Sequence, residues 1–272
     1  MDRRLTPFSG RVALASLRGL IDAPAFTEGE PAAIAAPLVD LLTRPDGARD
    51  RQVLLGDAVM VIERRDGWAF VQAAKDRYCG WVPASALGPA LNPTHWVAAP
   101  ASHAYAGPKV QAPDLMALPM NARLAVTGRD GAFAQTAFGH VPMAHLRDLA
   151  DRPQDPAGVA ERLIGSPYLW GGNSRAGVDC SGLVQMAFHA CGRACPGDSD
   201  LQQALGTPLD PEAPLCRNDL LFWKGHVALV LDADRLIHAN GHSMSVAVEG
   251  ISACIERIAA QGGGAVIARR RP

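Results

Sequence analysis

Cys180 stands in the run Asp179-Cys180-Ser181-Gly182, directly after a glycine-rich stretch reading Tyr168-Leu-Trp-Gly-Gly-Asn-Ser-Arg-Ala-Gly-Val. His226 and His238 follow, 12 residues apart. A thiol, an imidazole and a further polar group are the parts of a nucleophilic hydrolase. The thiolate attacks, the imidazole moves the proton, and the third group orients the ring. Apolar Leu183, Val184, Ala187 and Phe188 come after Cys180 at helical spacing. Asp179 is a good N-cap type, which predicts Cys180 in the first turn of a helix. There the exposed N–H groups and the helix dipole favour a thiolate. His226 opens one expected strand and His238 lies in the next. Neighbouring antiparallel strands would bring the two rings together. Asn240 and His242 compete with His238 for the orienting role. A single buried cysteine or strand-end histidine would ordinarily be structural; the combination is what points to catalysis.

These groups need a scaffold, and the chain of 272 residues is long enough for two or three small domains. A net charge of −1 gives no reason to expect nucleic acid. The six cysteines are irregularly spaced, so no disulfide framework is expected. Cys191 and Cys195 offer half of a zinc site with no second pair, so no metal is expected. Arg11, Arg18 and Asp22 interrupt every apolar run near the N-terminus. Neither a secretory signal nor a membrane span is expected, and with unpaired cysteines this points to the cytoplasm.

Residues 1–35 read as an Ala- and Pro-rich arm with a strand over Val12–Leu17. Residues 36–90 hold short apolar segments separated by turns such as Arg65-Asp-Gly-Trp, the pattern of a small β-barrel. Residues 91–150 repeat it more weakly. Asp66-Gly67-Trp68 corresponds to Asp130-Gly131-Ala132, and Gly80-Trp81-Val82-Pro83 to Gly139-His140-Val141-Pro142. Residues 151–272 then form the catalytic part. A helix is expected over Ala157–Ile164, then the Cys180 helix, a loop from Gly192 to Gln203, antiparallel strands, and a last strand over Ala265–Ala268.

The first β unit, with Leu54-Leu55-Gly56-Asp57, Asp66-Gly-Trp-Ala-Phe-Val and Tyr78-Cys-Gly-Trp-Val-Pro, resembles a bacterial SH3-like domain, and so does the second. The motifs Tyr168-x-Trp-Gly-Gly, Asp179-Cys-Ser-Gly, Asp219-Leu-Leu-Phe-Trp, Gly225-His-Val-Ala-Leu and Leu236-Ile-His-Ala occur in this order. Together they resemble the NlpC-type family of bacterial cell-wall peptidases. The resemblance implies an α+β papain-like catalytic domain preceded by two small all-β SH3-like barrels. It implies Cys180 as nucleophile, His226 as general base and acid, and His238 as orienter. The Cys180 N–H and the Tyr168 hydroxyl would stabilise the oxyanion.

The subgroup with SH3-like domains cuts between γ-D-glutamate and the diamino acid of peptidoglycan stem peptides, and prefers a free N-terminal L-alanine. By position, Asp179, Ser181, Asp198 and Ser199 would line the site for that alanine amine and the D-glutamate carboxylate. Asp57 and Tyr78 of the first barrel would close the pocket, although Asp57 is shorter than the glutamate found there in the family. Such a pocket would exclude intact murein, whose alanine amine is acylated, and would suit recycling of imported murein peptides. No cofactor is implied. A secreted murein hydrolase, a non-catalytic cell-wall-binding module and a thioester-forming acyltransferase or amidase are the other readings the same residues allow.

Overall fold

The computed structural model describes residues 1–272. The chain forms two compact units, Met1–Asp151 and Arg152–Pro272. No helix is long and apolar enough to cross a membrane.

The first unit is almost entirely β. A seven-stranded sheet runs in the order Arg49–Leu54, Leu38–Leu42, Cys79–Pro83, Trp68–Ala73, Ala58–Arg65, Glu30–Ile34, Leu87–Pro89. Its central hairpin pairs Arg65 with Trp68 across Asp66 and Gly67, both at positive φ (50° and 81°). Asp-Gly suits this two-residue turn because its twist matches that of the strands. Ile34, Leu41, Val53, Val59, Val61, Val71 and Val82 fill the core beneath it. The expected arm through residue 35 ends earlier: Glu30–Ile34 is a full member of this sheet, paired with Ala58–Arg65 and Leu87–Pro89.

The remainder of this unit has a five-stranded sheet, Asp114–Pro119, Ala101–Tyr105, Gly139–Pro142, Phe133–Thr136, Gly128–Asp130, and a three-stranded one centred on His95–Val97. Here the hairpin turn lies one residue later than the expected alignment of the two turns. Asp130 pairs with Phe133, so the turn residues are Gly131 and Ala132 rather than Asp130 and Gly131. Leu55, which follows a strand of the seven-stranded sheet, lies in the apolar cluster of Val97, Ala104, Leu118, Leu124 and Val141. Its carbonyl accepts the Arg123 N–H at 2.8 Å.

In the second unit, α1 (Pro156–Glu161) leads to a small hairpin and then α2 (Cys180–Ala190). α3 (Ser199–Gln202) is a single turn inside the Gly192–Gln203 loop, with Asp198 at its N-cap. The six-stranded sheet runs Thr207–Pro208, Ala268–Arg271, Leu220–Trp223, His226–Val230, Arg235–Asn240, Ser245–Gly250. α2 packs on the strands His226–Val230 and Arg235–Asn240 and against α1. Every residue of α2 except His189 is buried. Burying Leu183, Val184 and Phe188 each contributes roughly 1.5–3 kcal/mol, so the position of Cys180 is set by the core. α4 (Ile251–Ala260) covers Leu221, Trp223, Ala228, Val230 and Leu236 with Ile251, Cys254, Ile255 and Ile258. This helix stands where only sheet was expected, and the last strand is Ala268–Arg271 rather than Ala265–Ala268.

Candidate active site

Asp179 is the N-cap of α2, as its residue type predicts. Its Oδ1 accepts from the Gly182 N–H at 2.6 Å and from the Ser181 hydroxyl at 3.0 Å, and its Oδ2 accepts from the Gly171 N–H at 2.9 Å. One buried carboxylate thus starts the helix and ties the glycine-rich loop to it. Gly171 takes φ = 70°, a left-handed conformation that favours glycine. Gly182 is required for a different reason: the Gly172 carbonyl lies so close that a side chain would clash with it. Tyr168, bridged to Val178, is thereby held beside the first turn of α2.

Cys180 is the first residue of α2 and is 7% exposed. Its Sγ lies 4.0 Å from the Gly225 carbonyl oxygen. Gly225, at φ = 75°, closes the tight turn between Trp223 and His226, so the thiol sits against the turn that presents His226. His226 Nε2 is 2.8 Å from His238 Nδ1. Trp223 supports the same ring, with centroids 5.7 Å apart. The 12-residue spacing therefore does what antiparallel neighbours predict. Asn240 has a different task, accepting from the Ser243 N–H at 2.8 Å, and His242 is exposed at the rim.

Both imidazoles are neutral at neutral pH. Burial, reinforced by His238 and Arg257, pulls His226 down to about 3. Burial pulls His238 down to about 4, against the opposing pull of Glu249. Burial, then the nearby Cys180 and Asp179, push the Tyr168 phenol up to about 12. At neutral pH its hydroxyl is therefore a donor.

Behind His238 stand two residues that motif spacing did not reveal. Glu249 Oε2 is 3.2 Å from His238 Nε2, off the line of a well-aligned hydrogen bond, so the contact is primarily electrostatic. Arg257 on α4 grips the same carboxylate with two bonds, Nη2 to Oε2 at 2.6 Å and Nε to Oε1 at 3.1 Å. Burial raises the Glu249 carboxyl, but Arg257, Cys254 and His238 bring it down to about 2. His238, Glu249 and Cys254 offer three metal-type donors within 4.8 Å of one another. The guanidinium, 3.7 Å from Cys254 Sγ, already supplies the positive charge there. Alternation on the strand Ser245–Gly250 puts Glu249 on the face of Ala247, the partner of His238. The spacing of Ile251, Cys254, Ile255 and Ile258 would have announced α4 and Arg257.

Of the expected substrate residues, Ser181 donates to Asp179, and Asp179 uses both oxygens on its loop and cap. Ser199 is buried and Asp198 half-buried at the start of α3. Gln202 clamps α3 onto the start of α2 by donating to the Ser181 carbonyl at 2.9 Å. Asp57 and Tyr78 have roles inside the first unit. Asp57 caps the Leu54 N–H at 2.9 Å and pairs with Lys75 at 2.7 Å, and Tyr78 belongs to the apolar core. Trp170 is 70% exposed on the loop.

A thiol at a helix start, a paired imidazole and a phenol donor on a helix-and-sheet scaffold define a cysteine hydrolase. Comparison with known proteins gives the family. Residues 165–257 match the NlpC/P60 family, and residues 41–87 match the bacterial dipeptidyl-peptidase SH3 domain. Residues 165–257 thus form an NlpC/P60 cysteine peptidase domain, and the SH3 match lies ahead of it in the chain. It is 28% identical over 237 residues to a γ-D-glutamyl-L-lysine dipeptidyl-peptidase of Bacillus subtilis, covering 75% of this chain and 76% of that one. It is 27% identical over 233 residues to a protein of the same name from Bacillus cereus, covering 73% and 69%. A crystal structure of an NlpC/P60 family protein from Bacillus cereus shares the fold, with a TM-score of 0.75 at 22% identity over 89% of this chain and 99% of that one.

Proposed function

We propose that the protein hydrolyses the bond between γ-D-glutamate and the diamino acid of free murein peptides that begin with L-alanine, as a step in cell-wall recycling. The observation that carries this reading is the Cys180 thiol at the start of α2, 4.0 Å from the carbonyl of the residue that precedes His226. Cys180 gives its proton to His226 and attacks the γ-carbonyl carbon. The Cys180 N–H and the Tyr168 hydroxyl hold the resulting oxyanion. The imidazolium of His226, oriented by His238, returns the proton to the leaving amine and a thioester remains. Water, deprotonated by His226, then releases the γ-D-glutamyl product and the thiol.

The names of the Bacillus relatives support the bond assignment. Asp198 and Ser199, clamped beside α2, are the groups we assign to the substrate amine and carboxylate, with Ser181 and Asp179 behind them. The leaving residue lies on the side of the general acid. There a groove of about 470 Å³ is lined by Trp223, Lys224, His226, Asn240, His242 and Arg257. Lys224 stands in that lining beside Arg257, whose charge is shared with Glu249, and its ammonium suits a diamino acid that carries a carboxylate. We read the second β unit as a further SH3-like domain, and the six free thiols suit a reducing compartment such as the cytoplasm.

The test uses L-Ala-γ-D-Glu-diaminopimelate and its N-acetylated twin, with Cys180→Ala as control. Rapid cleavage of the free peptide alone supports the reading. Equal cleavage of both removes the amine pocket, and cleavage of neither favours a binding module or an acyltransferase.

A further inference from the structure

We infer that Glu249, clamped by Arg257, is a positioning residue that fixes the tautomer of His238 and, through it, leaves the correct nitrogen of His226 free to act as base. The inference rests on the roles given above to Cys180 and His226. Its ground is a chain of contacts across three adjacent strands and a helix: His226 Nε2 to His238 Nδ1 at 2.8 Å, His238 Nε2 to Glu249 Oε2 at 3.2 Å, and Glu249 to Arg257 at 2.6 and 3.1 Å.

A neutral imidazole carries one N–H and one bare nitrogen, and an ionised carboxylate only accepts. Arg257 is a fixed cation, so Glu249 stays ionised and demands the His238 proton on Nε2. His238 Nδ1 is then bare and can only accept. It therefore takes the N–H of His226 Nε2. That leaves His226 Nδ1 without a proton, on the side of the ring away from His238, where a thiol can deliver one. Every nitrogen in the chain is assigned from one end. The opposite tautomer of His238 would set two N–H groups against each other, or force His226 to carry its proton on Nδ1, where it cannot act as a base. A purely structural role, tying the strand Ser245–Gly250 to α4, would need the Glu249–Arg257 pair but not its contact with His238. The groups that face His238 are His226, Glu249, Arg257 and Cys254. Cys254 is held as a neutral thiol, since burial and Glu249 push it up to about 12.

The substitution that separates these roles is Glu249→Gln. Its carboxamide oxygen keeps a bond to Arg257, which turns the NH2 toward His238 Nε2 and favours the wrong tautomer. The protein is labelled with 15N-histidine and the tautomer of His238 is read from the ring nitrogen shifts at neutral pH. Wild type is expected to show the proton on Nε2; a proton on Nδ1 in wild type overturns the inference, whatever the variant does. In Glu249→Gln the proton is expected on Nδ1, with kcat down about 100-fold and KM little changed, while Glu249→Asp recovers part of the loss. An unchanged kcat, or an unchanged His238 tautomer in a variant that folds, also overturns it. Failure of the proposed function shows separately, as full activity in Cys180→Ala or no cleavage of either peptide, and leaves the wild-type tautomer readable.

Discussion

Gly182→Ala is a one-methyl change two residues from Cys180, the proposed nucleophile. The added Cβ would fall about 1 Å inside the 3.4 Å at which ordinary contact with the Gly172 carbonyl begins. Neither wall gives way easily. The Gly172 segment is tied to Asp179 through Gly171, and α2 is buried along its length. The displacement must therefore appear either in Cys180 or in the loop that carries Tyr168. A misplacement of about 1 Å at reacting groups lowers kcat on the order of 100-fold, about 3 kcal/mol of barrier. Overpacking adds about 1–3 kcal/mol of lost stability. The assay is steady-state cleavage of L-Ala-γ-D-Glu-diaminopimelate beside a thermal melt. Gly107→Ala is the control, because a Cβ there meets only the Ala112 Cβ, at 3.8 Å. A Gly182→Ala protein with wild-type kcat and melting temperature would refute the idea that close backbone approach sets the nucleophile.

Tyr168→Phe removes the hydroxyl proposed as an oxyanion donor and keeps the ring, so kcat is expected to fall about 10- to 100-fold with KM nearly unchanged; a rise in KM alone would make Tyr168 a ground-state binder. His226 and His238 sit at about 3 and 4 in the folded protein and near 6.5 when unfolded. The unfolded chain therefore binds more protons between those values, so their contribution to stability is complete above about pH 6.5 and is lost as pH falls toward 4 and 3. Chemical denaturation across this range should show stability rising with pH, with a shallower slope in His238→Gln; equal slopes would contradict their burial as neutral rings. Lys224→Glu should slow cleavage of diaminopimelate peptides several-fold more than of lysine peptides, and an unchanged ratio of kcat/KM would remove the basic groove from specificity. Leu55→Ala should destabilise the first unit by about 2–5 kcal/mol, read by denaturation of the whole chain; a neutral effect would mean the cavity collapses.

The parts of the site legible in the sequence were those set by local chemistry. The cap at Asp179, the helix from Cys180 and the pairing of His226 with His238 each follow from residue type and period alone. What the sequence hid depends on what packs against what. Glu249 looks like any strand-end acid until the register brings it diagonal to His238, and Arg257 is an ordinary helix arginine until α4 folds back. α4 itself is legible in the spacing of its isoleucines, although the strands before it follow period two. Asp57 and Tyr78 show a related difference. Position in a motif identified them, whereas Lys75 and the barrel core determine what they do.

Leu55 leaves the sheet it follows and fills the core of the neighbouring β region, and Gly56 admits the Arg123 backbone so closely that any side chain would be refused. The two halves of the first unit are therefore not interchangeable modules on a string. A gene fusion that borrowed residues 36–90 alone would carry away a leucine with no socket and leave a hole in what remained. Recombination can move the two β regions intact or not at all, so they are inherited as one part.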